Sequence, residues 1–90
     1  MPIKVQIPQM MRKHTDGLAT VEVVGITVKE AIDALGVKFP DIVSRMCDNG
    51  KLRPHVNIYL NDEDIRFMNS VETAVKDGDV LAIIPAISGG

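Results

Sequence analysis

The sequence predicts an α+β fold, a mixed β-sheet with one main helix packed across one face. Three observations carry this. Apolar and polar residues alternate with a period of two at residues 3–7, 18–24 and 56–61, as in strands with one buried face. Val28, Ala31, Ile32 and Leu35 repeat at i, i+3, i+4 and i+7, one face of a helix. Residues 80–84 are apolar throughout, as in a central strand covered on both faces.

Each element can be justified in turn. Ile3, Val5 and Ile7 alternate with Lys4 and Gln6, and Pro8 ends this first strand. Residues 9–15 connect it to Asp16-Gly17, a turn signal. The second strand follows, with Val21 and Val23 set against Thr20 and Glu22, and the pair should form an antiparallel hairpin. Thr27 ahead of the helical run and Glu30 at its third position form a capping box, each side chain reaching a free backbone N–H. Gly36 weakens or ends this helix, and Pro40 closes the segment. Residues 41–46 suit a further short helical turn, and Asp48-Asn49-Gly50 a loop. Val56, Ile58 and Leu60 alternate with Asn57, Tyr59 and Asn61 in a third strand. A polar turn at 61–64 and a short fourth strand at 65–67 come next, while 68–74 is ambiguous. Asp77-Gly78 is a turn signal, 80–84 the last strand, and Pro85 its end. The division is one domain over residues 1–86 and a flexible Gly-Gly tail over 87–90.

Composition narrows the function classes. A chain of 90 residues buries roughly 60–65% of its unfolded surface, enough for one core but not for a deep active site. Aromatics are 3% of residues and hydrophobics 46%, so the core is aliphatic. The net charge of −2 is spread evenly, and Arg12-Lys13-His14 is the only basic cluster; a nucleic-acid binder carries a basic patch. The single cysteine, Cys47, excludes an internal disulfide and a multi-thiolate zinc site. No apolar run approaches the ~20 residues of a membrane helix, and the first residues lack the layout of a signal peptide. The expected location is the cytoplasm, with no membrane or nucleic-acid partner and no bound metal.

The pair Gly89-Gly90 is the feature that carries chemistry. A carboxylate at Gly90 is ionised at neutral pH, with a reference pKa of about 3.3–3.7, and is a poor electrophile until it is activated, as by adenylation. Glycine has no Cβ, so its backbone enters an enclosed channel where a side chain would clash. Five extended residues reach at most about 17–18 Å, enough to thread into the active site of another protein.

With this tail, its length and its strand–helix order, the chain resembles the MoaD/ThiS sulfur carriers, which share the β-grasp fold of ubiquitin. That resemblance implies that the first and last strands lie side by side in the centre of the sheet. The segment Val56-Asn57-Ile58-Tyr59-Leu60-Asn61-Asp62-Glu63-Asp64-Ile65-Arg66-Phe67, the early Ile7-Pro8 with Arg12 and His14, and the end Ile84-Pro85-Ala86-Ile87-Ser88-Gly89-Gly90 resemble the CysO branch, which supplies sulfur for cysteine synthesis. The implied cycle begins with adenylation of the Gly90 carboxylate by an adenylyltransferase that resembles the ubiquitin-activating enzymes and consumes ATP. A sulfur donor then makes the thiocarboxylate. A pyridoxal-phosphate cysteine synthase presents an aminoacrylate, which the sulfur attacks. An S-to-N acyl shift follows, and a metal-dependent peptidase releases cysteine and restores the carboxylate. Gly90 would carry the group, Gly89 would give access, and the chain itself would bind no cofactor.

The remaining candidates are contact residues. Tyr59 should lie on the open sheet face if Val56, Ile58 and Leu60 face the helix, and an exposed aromatic there is a partner contact. Phe67, Arg66, Ile87 and Ser88 could join it, with the solvated turn Asp62-Glu63-Asp64 docking beside Arg66. Met10-Met11 serve equally as contact or packing residues. Cys47 reads as a small hydrophobe or inert thiol, and His14 and His55 have no partner at ligand or triad spacing. Rival readings are the small subunit of molybdopterin synthase, acting with its large subunit, and the sulfur carrier of a thiazole synthase. Outside that class stand a ubiquitin-like modifier forming isopeptide bonds through Gly90 and a plain interaction module. No nucleophile, base and orienter come together as in an enzyme.

Overall fold

In the computed structural model the first alternating segment forms β1 (Pro2–Gln6) and the second β2 (Thr20–Val24), an antiparallel pair with Ile3 opposite Val23 and Val5 opposite Val21. The structure describes residues 2–48, 51–52 and 56–85. The connection at 9–15 is a 3-10 helix, Gln9–His14, which buries Met11 and leaves Met10 exposed. Gly25 lets β2 turn tightly into the helix, since a Cβ there would stand 2.9 Å from the Ala31 amide nitrogen.

Helix α1 (Val28–Lys38) buries the four residues of its apolar stripe. The Thr27 half of its capping box is formed, Thr27 Oγ1 accepting from the Glu30 amide at 3.2 Å, while Glu30 Oε1 accepts, also at 3.2 Å, from the amide of Ile26, one residue ahead of the N-cap, rather than from that of Thr27. Gly36 does not end α1. It lies inside it, 3.1 Å from a Val43 methyl when a Cβ is placed on it, so the small residue makes room for a neighbouring helix. That helix is α2 (Pro40–Met46), and Pro40 opens it rather than closing the segment, because the first helical position has no use for an N–H. Ile42 and Met46 are fully buried. Strands β3 (Cys47–Asp48) and β4 (Lys51–Leu52) form a small antiparallel pair, so Asp48 of the expected loop is a strand residue, and Asn49 and Gly50 lie outside the described residues.

The third alternating segment is β5 (Val56–Leu60), joined to β6 (Glu63–Asp64) by Asn61 and Asp62, both at positive φ (50° and 74°). Two left-handed residues make the two-residue turn that suits strand twist, so the expected polar turn includes a short edge strand. The expected strand at 65–67 is instead a 3-10 turn, Ile65–Phe67, because the Asp64 carboxylate caps it by accepting from the Arg66 amide at 2.9 Å. The ambiguous stretch contains a second 3-10 turn, Ser70–Glu72, and a bridge from Ala74 to Thr27. Strand β7 (Val80–Pro85) completes the sheet, and Pro85 is its last residue.

The five strands are ordered β2-β1-β7-β5-β6, with β1 and β7 parallel in the middle and the other pairs antiparallel. Ile3, Val5, Val21, Val23, Val56, Ile58, Leu60, Leu81 and Ile83 face the helices and form one aliphatic core with α1 and α2. The other face is open. The expected assembly of a mixed sheet with its main helix on one side and its terminal strands central is what the chain forms. No helix among the described residues is long and apolar enough to cross a membrane.

Candidate functional site: the root of the tail on the open sheet face

Strand β7 delivers the chain to the tail. It is flanked on both sides, by β1 from Lys4–Val80 to Gln6–Ala82 and by β5 from Leu60–Leu81 to Val56–Pro85. At the start of β7 a polar lock fixes the register. Asn61 Nδ2 donates to Asp79 Oδ1 at 3.0 Å, the Lys76 amide donates to Asp79 Oδ2 at 2.9 Å, and the Val80 amide donates to Asn61 Oδ1 at 3.0 Å. Asp79 is only 6% exposed. The Asn61 hydrogen bond, then the Lys76 amide and charge, hold its carboxyl below the usual carboxylate range against the opposing effect of burial.

Above β7 the open face carries a cross-strand row, Thr20, Gln6, Ala82 and Tyr59, and beside it the pair Asn57–Ile84. Strand alternation places Tyr59 here as expected, half-buried rather than freely exposed. Where β1 breaks away at Pro8, a cleft of about 340 Å³ opens along Ala82–Ile84, with Arg12 on its wall. Arg12 Nε donates to the Ile7 carbonyl at 3.1 Å, which fixes the guanidinium stem at the end of the sheet from which the tail departs.

The β6 edge holds the rest of the predicted contact set. Arg66 Nη2 donates to Asp64 Oδ2 at 3.0 Å. Asp64 is 5% exposed, so it is not part of a solvated turn as expected; its partner Arg66 stays accessible. The Arg66 side chain, then its amide, lower the Asp64 carboxyl, and Asp64 in turn raises Arg66, with Tyr59 adding a smaller charge effect. Phe67 follows on this capped turn at 83% exposure. Tyr59 and Arg66 therefore lie together at the β6 edge of the sheet, where the ion pair holds the Arg66 side chain. Gly89, Gly90, Ile87 and Ser88 lie outside the described residues, as does His55. Cys47 is half-buried in a cleft with Ile32, Val43 and Leu52, consistent with a packing role. Among the described residues no group of three His, Cys, Asp or Glu side chains is placed to hold a metal.

The sequence reading did not single out Asn61, Asp79 or Asn57. For the first two a signal existed: an Asn at a hairpin turn and an Asp directly after Asp77-Gly78 are both residues that bond to nearby backbone.

A central parallel pair of terminal strands, antiparallel flanking strands and a helix across one face define a ubiquitin-like β-grasp protein. The chain belongs to the ThiS/MoaD family of sulfur carriers, the ThiS family model matching residues 5–90. It is 42% identical, over the whole of both chains, to the sulfur carrier protein CysO of Mycobacterium tuberculosis. The CysO of the Amycolatopsis orientalis BexX/CysO complex superimposes with a TM-score of 0.92 at 44% identity, covering 98% of this chain and 99% of that one. The small archaeal modifier protein SAMP1 of Haloferax volcanii matches with a TM-score of 0.85 at 31% identity, over 100% of both chains.

Proposed function

We propose that this protein carries sulfur as a thiocarboxylate on Gly90 and delivers it for cysteine synthesis. The observation that carries the reading is full-length likeness to CysO proteins in a chain that ends in Gly89-Gly90, with three residues between that pair and Pro85, the last residue of its central strand. The chain acts as a protein cosubstrate. A partner adenylyltransferase transfers AMP from ATP to the Gly90 carboxylate with loss of pyrophosphate, and sulfur from a donor displaces AMP. The thiocarboxylate sulfur then adds to an acceptor held by a pyridoxal-phosphate cysteine synthase; after the acyl shift, hydrolysis by a metal-dependent peptidase restores the carboxylate. The contribution of this chain is placement. The open face with Tyr59, Ala82 and Ile84, flanked by Arg66 and Phe67, docks the partner, while β7 aims the tail. A cytoplasmic location suits this chemistry.

The test is intact mass of the protein from its native cells, which should show a fraction heavier by one oxygen-to-sulfur exchange or by an appended cysteine. Deleting Gly90 should abolish sulfur transfer and leave the unfolding midpoint unchanged; transfer retained by the truncated chain would refute the reading. A second reading, protein modification, draws on the likeness to SAMP1. It predicts higher-mass conjugates joined through lysine, which the same measurement would reveal.

A further inference from the structure

Strand β2 is the outermost strand of the sheet, and among the described residues only β1 pairs with it. The Ile7 amide donates to the Ala19 carbonyl at 2.8 Å. Antiparallel partners alternate between bonded and non-bonded pairs, so Ala19, Val21 and Val23 turn their main-chain groups to β1. Thr20, Glu22 and Val24 turn theirs outward. The Lys38 ammonium agrees with this direction, since it donates to the Glu22 carbonyl at 2.9 Å. A lysine on an edge blunts unwanted pairing, but this one covers a single acceptor. The outward amides of Thr20, Glu22 and Val24 have no main-chain partner among the described residues.

Beside this edge a cleft of about 440 Å³ lies between β2 and α1, lined by Val23, Val24, Ala34 and Val37, with Lys38 on its wall. Val24 and Val37 are 59% and 85% exposed, so apolar surface stands open next to unpaired main chain. Lys38 has no carboxylate partner among the described residues. We propose that the free edge of β2 docks an extended segment of a partner protein, one that adds as a strand and carries apolar side chains and a carboxylate on the same face. Its main-chain groups pair with Thr20, Glu22 and Val24, and its apolar side chains enter the groove. Its carboxylate takes Lys38 when an incoming N–H replaces that ammonium on the Glu22 carbonyl. Strand addition draws affinity from the main chain and specificity from such side-chain contacts. A second copy of this chain fits less well, because it would bring a second Lys38 to the same edge and set like charges together. Strand β2 lies at the opposite edge of the sheet from β6. Docking here leaves Tyr59, Arg66 and β7 free, and it stands or falls independently of the carrier reading.

NMR titration of the isotope-labelled full-length chain with the peptide acetyl-Val-Thr-Val-Thr-Asp-amide, whose valines and aspartate share one strand face, tests this. The amides of Thr20, Glu22, Val24, Ala34 and Val37 should shift saturably, with those of Tyr59 and Arg66 unmoved. Replacing the peptide aspartate by lysine should raise Kd about three- to tenfold, as when an exposed ion pair becomes a like-charged one, and Lys38→Glu should reverse that preference. N-methylation at the central valine and at the threonine beside it should give Kd values that differ about tenfold, because only alternate amides of an added strand face β2. Val37→Asp should weaken binding about fivefold or more through lost apolar contact. Val37 and Lys38 are both exposed, so these variants should keep the parent urea midpoint. The proposal is overturned by no saturable shift at the edge amides, by shifts centred on Tyr59, or by equal Kd values within either peptide pair. Broadening of the edge amides with protein concentration in the absence of peptide also overturns it, since that assigns the edge to a second copy. The peptide comparisons use the parent chain, so they decide the case even if a variant unfolds.

Discussion

Replacing Asp79 by alanine should cost about 2–4 kcal/mol at neutral pH and much less in acid. The carboxylate accepts from Asn61 Nδ2 and from the Lys76 amide at 3.0 and 2.9 Å, and hydrogen bonds to a charged group contribute about 1.5–3 kcal/mol each. Both donors border solvent, so water recovers part of that sum, and the lower half of the range is expected. For a domain of this size 1 kcal/mol shifts Tm by about 4–8 °C, so Tm should fall by roughly 10–25 °C. The pH dependence identifies the cause. Asp79 is held below its ordinary value by Asn61 and Lys76, so its contribution is complete above the unfolded-state pKa of about 3.9. It is lost as pH falls through the lower folded-state value. Urea unfolding of the parent and Asp79→Ala proteins at pH 7 and again near pH 2–3 measures the gap directly. Comparing the two proteins at each pH removes the parallel titration of Asp64, which is also depressed. A gap of the same size at both pH values would refute the argument, since it would assign the loss to packing rather than to the charged acceptor.

Two further outcomes follow from α1. Thr27→Ala removes the acceptor for the Glu30 amide and should cost about 1 kcal/mol, read as a lower urea midpoint with unchanged m-value. Gly36→Ala sets a helix-propensity gain of about 0.8–1 kcal/mol against a Cβ only 3.1 Å from Val43 Cγ2, an overpacking that costs about 1–3 kcal/mol. The clash should win in the parent protein and vanish in a Val43→Ala background, where Gly36→Ala should become stabilising; the same sign in both backgrounds would show that the contact does not limit this position.

The parts of the fold legible in the sequence were those with a period or a cap. The alternating faces of β1, β2 and β5, the buried stripe of α1 and the Thr27 half of its capping box read directly, since burial imposes those spacings. The misread parts are those where one local contact outweighs the pattern. Ile65 to Phe67 looks like a strand until Asp64 is seen to cap the turn and pair with Arg66. Glu63 and Asp64 are too few and too polar to signal a strand, yet the two left-handed residues before them fold the chain back. Gly36 and Pro40 read as stops because glycine and proline usually are; here one makes room for Val43 and the other starts a helix. At the candidate site Tyr59 was legible from alternation alone. Asn57 was not, because an asparagine on a strand looks like any solvated residue until its buried oxygen is found without a partner among the described residues.

These features meet in β7. A carrier must present a reactive end without loosening its core. Strand β7 separates the two: from Val80 to Ala82 it lies between β1 and β5, so fraying that passes Ala82 would have to break two ladders. At its start Asp79 and Asn61 fix the register, and the Lys4 amide donates to the Asp79 carbonyl at 3.1 Å. At its far end β1 breaks away at Pro8, and only β5 follows the chain as far as Pro85. The support thus narrows from two neighbours to one just before the tail begins. A one-residue slip of β7 would turn Leu81 and Ile83 to the open face. The polar lock therefore protects the core packing and, under the proposed function, would protect the aim of Gly90 with it, so Asp79→Ala should lower sulfur transfer even at temperatures where the variant remains folded.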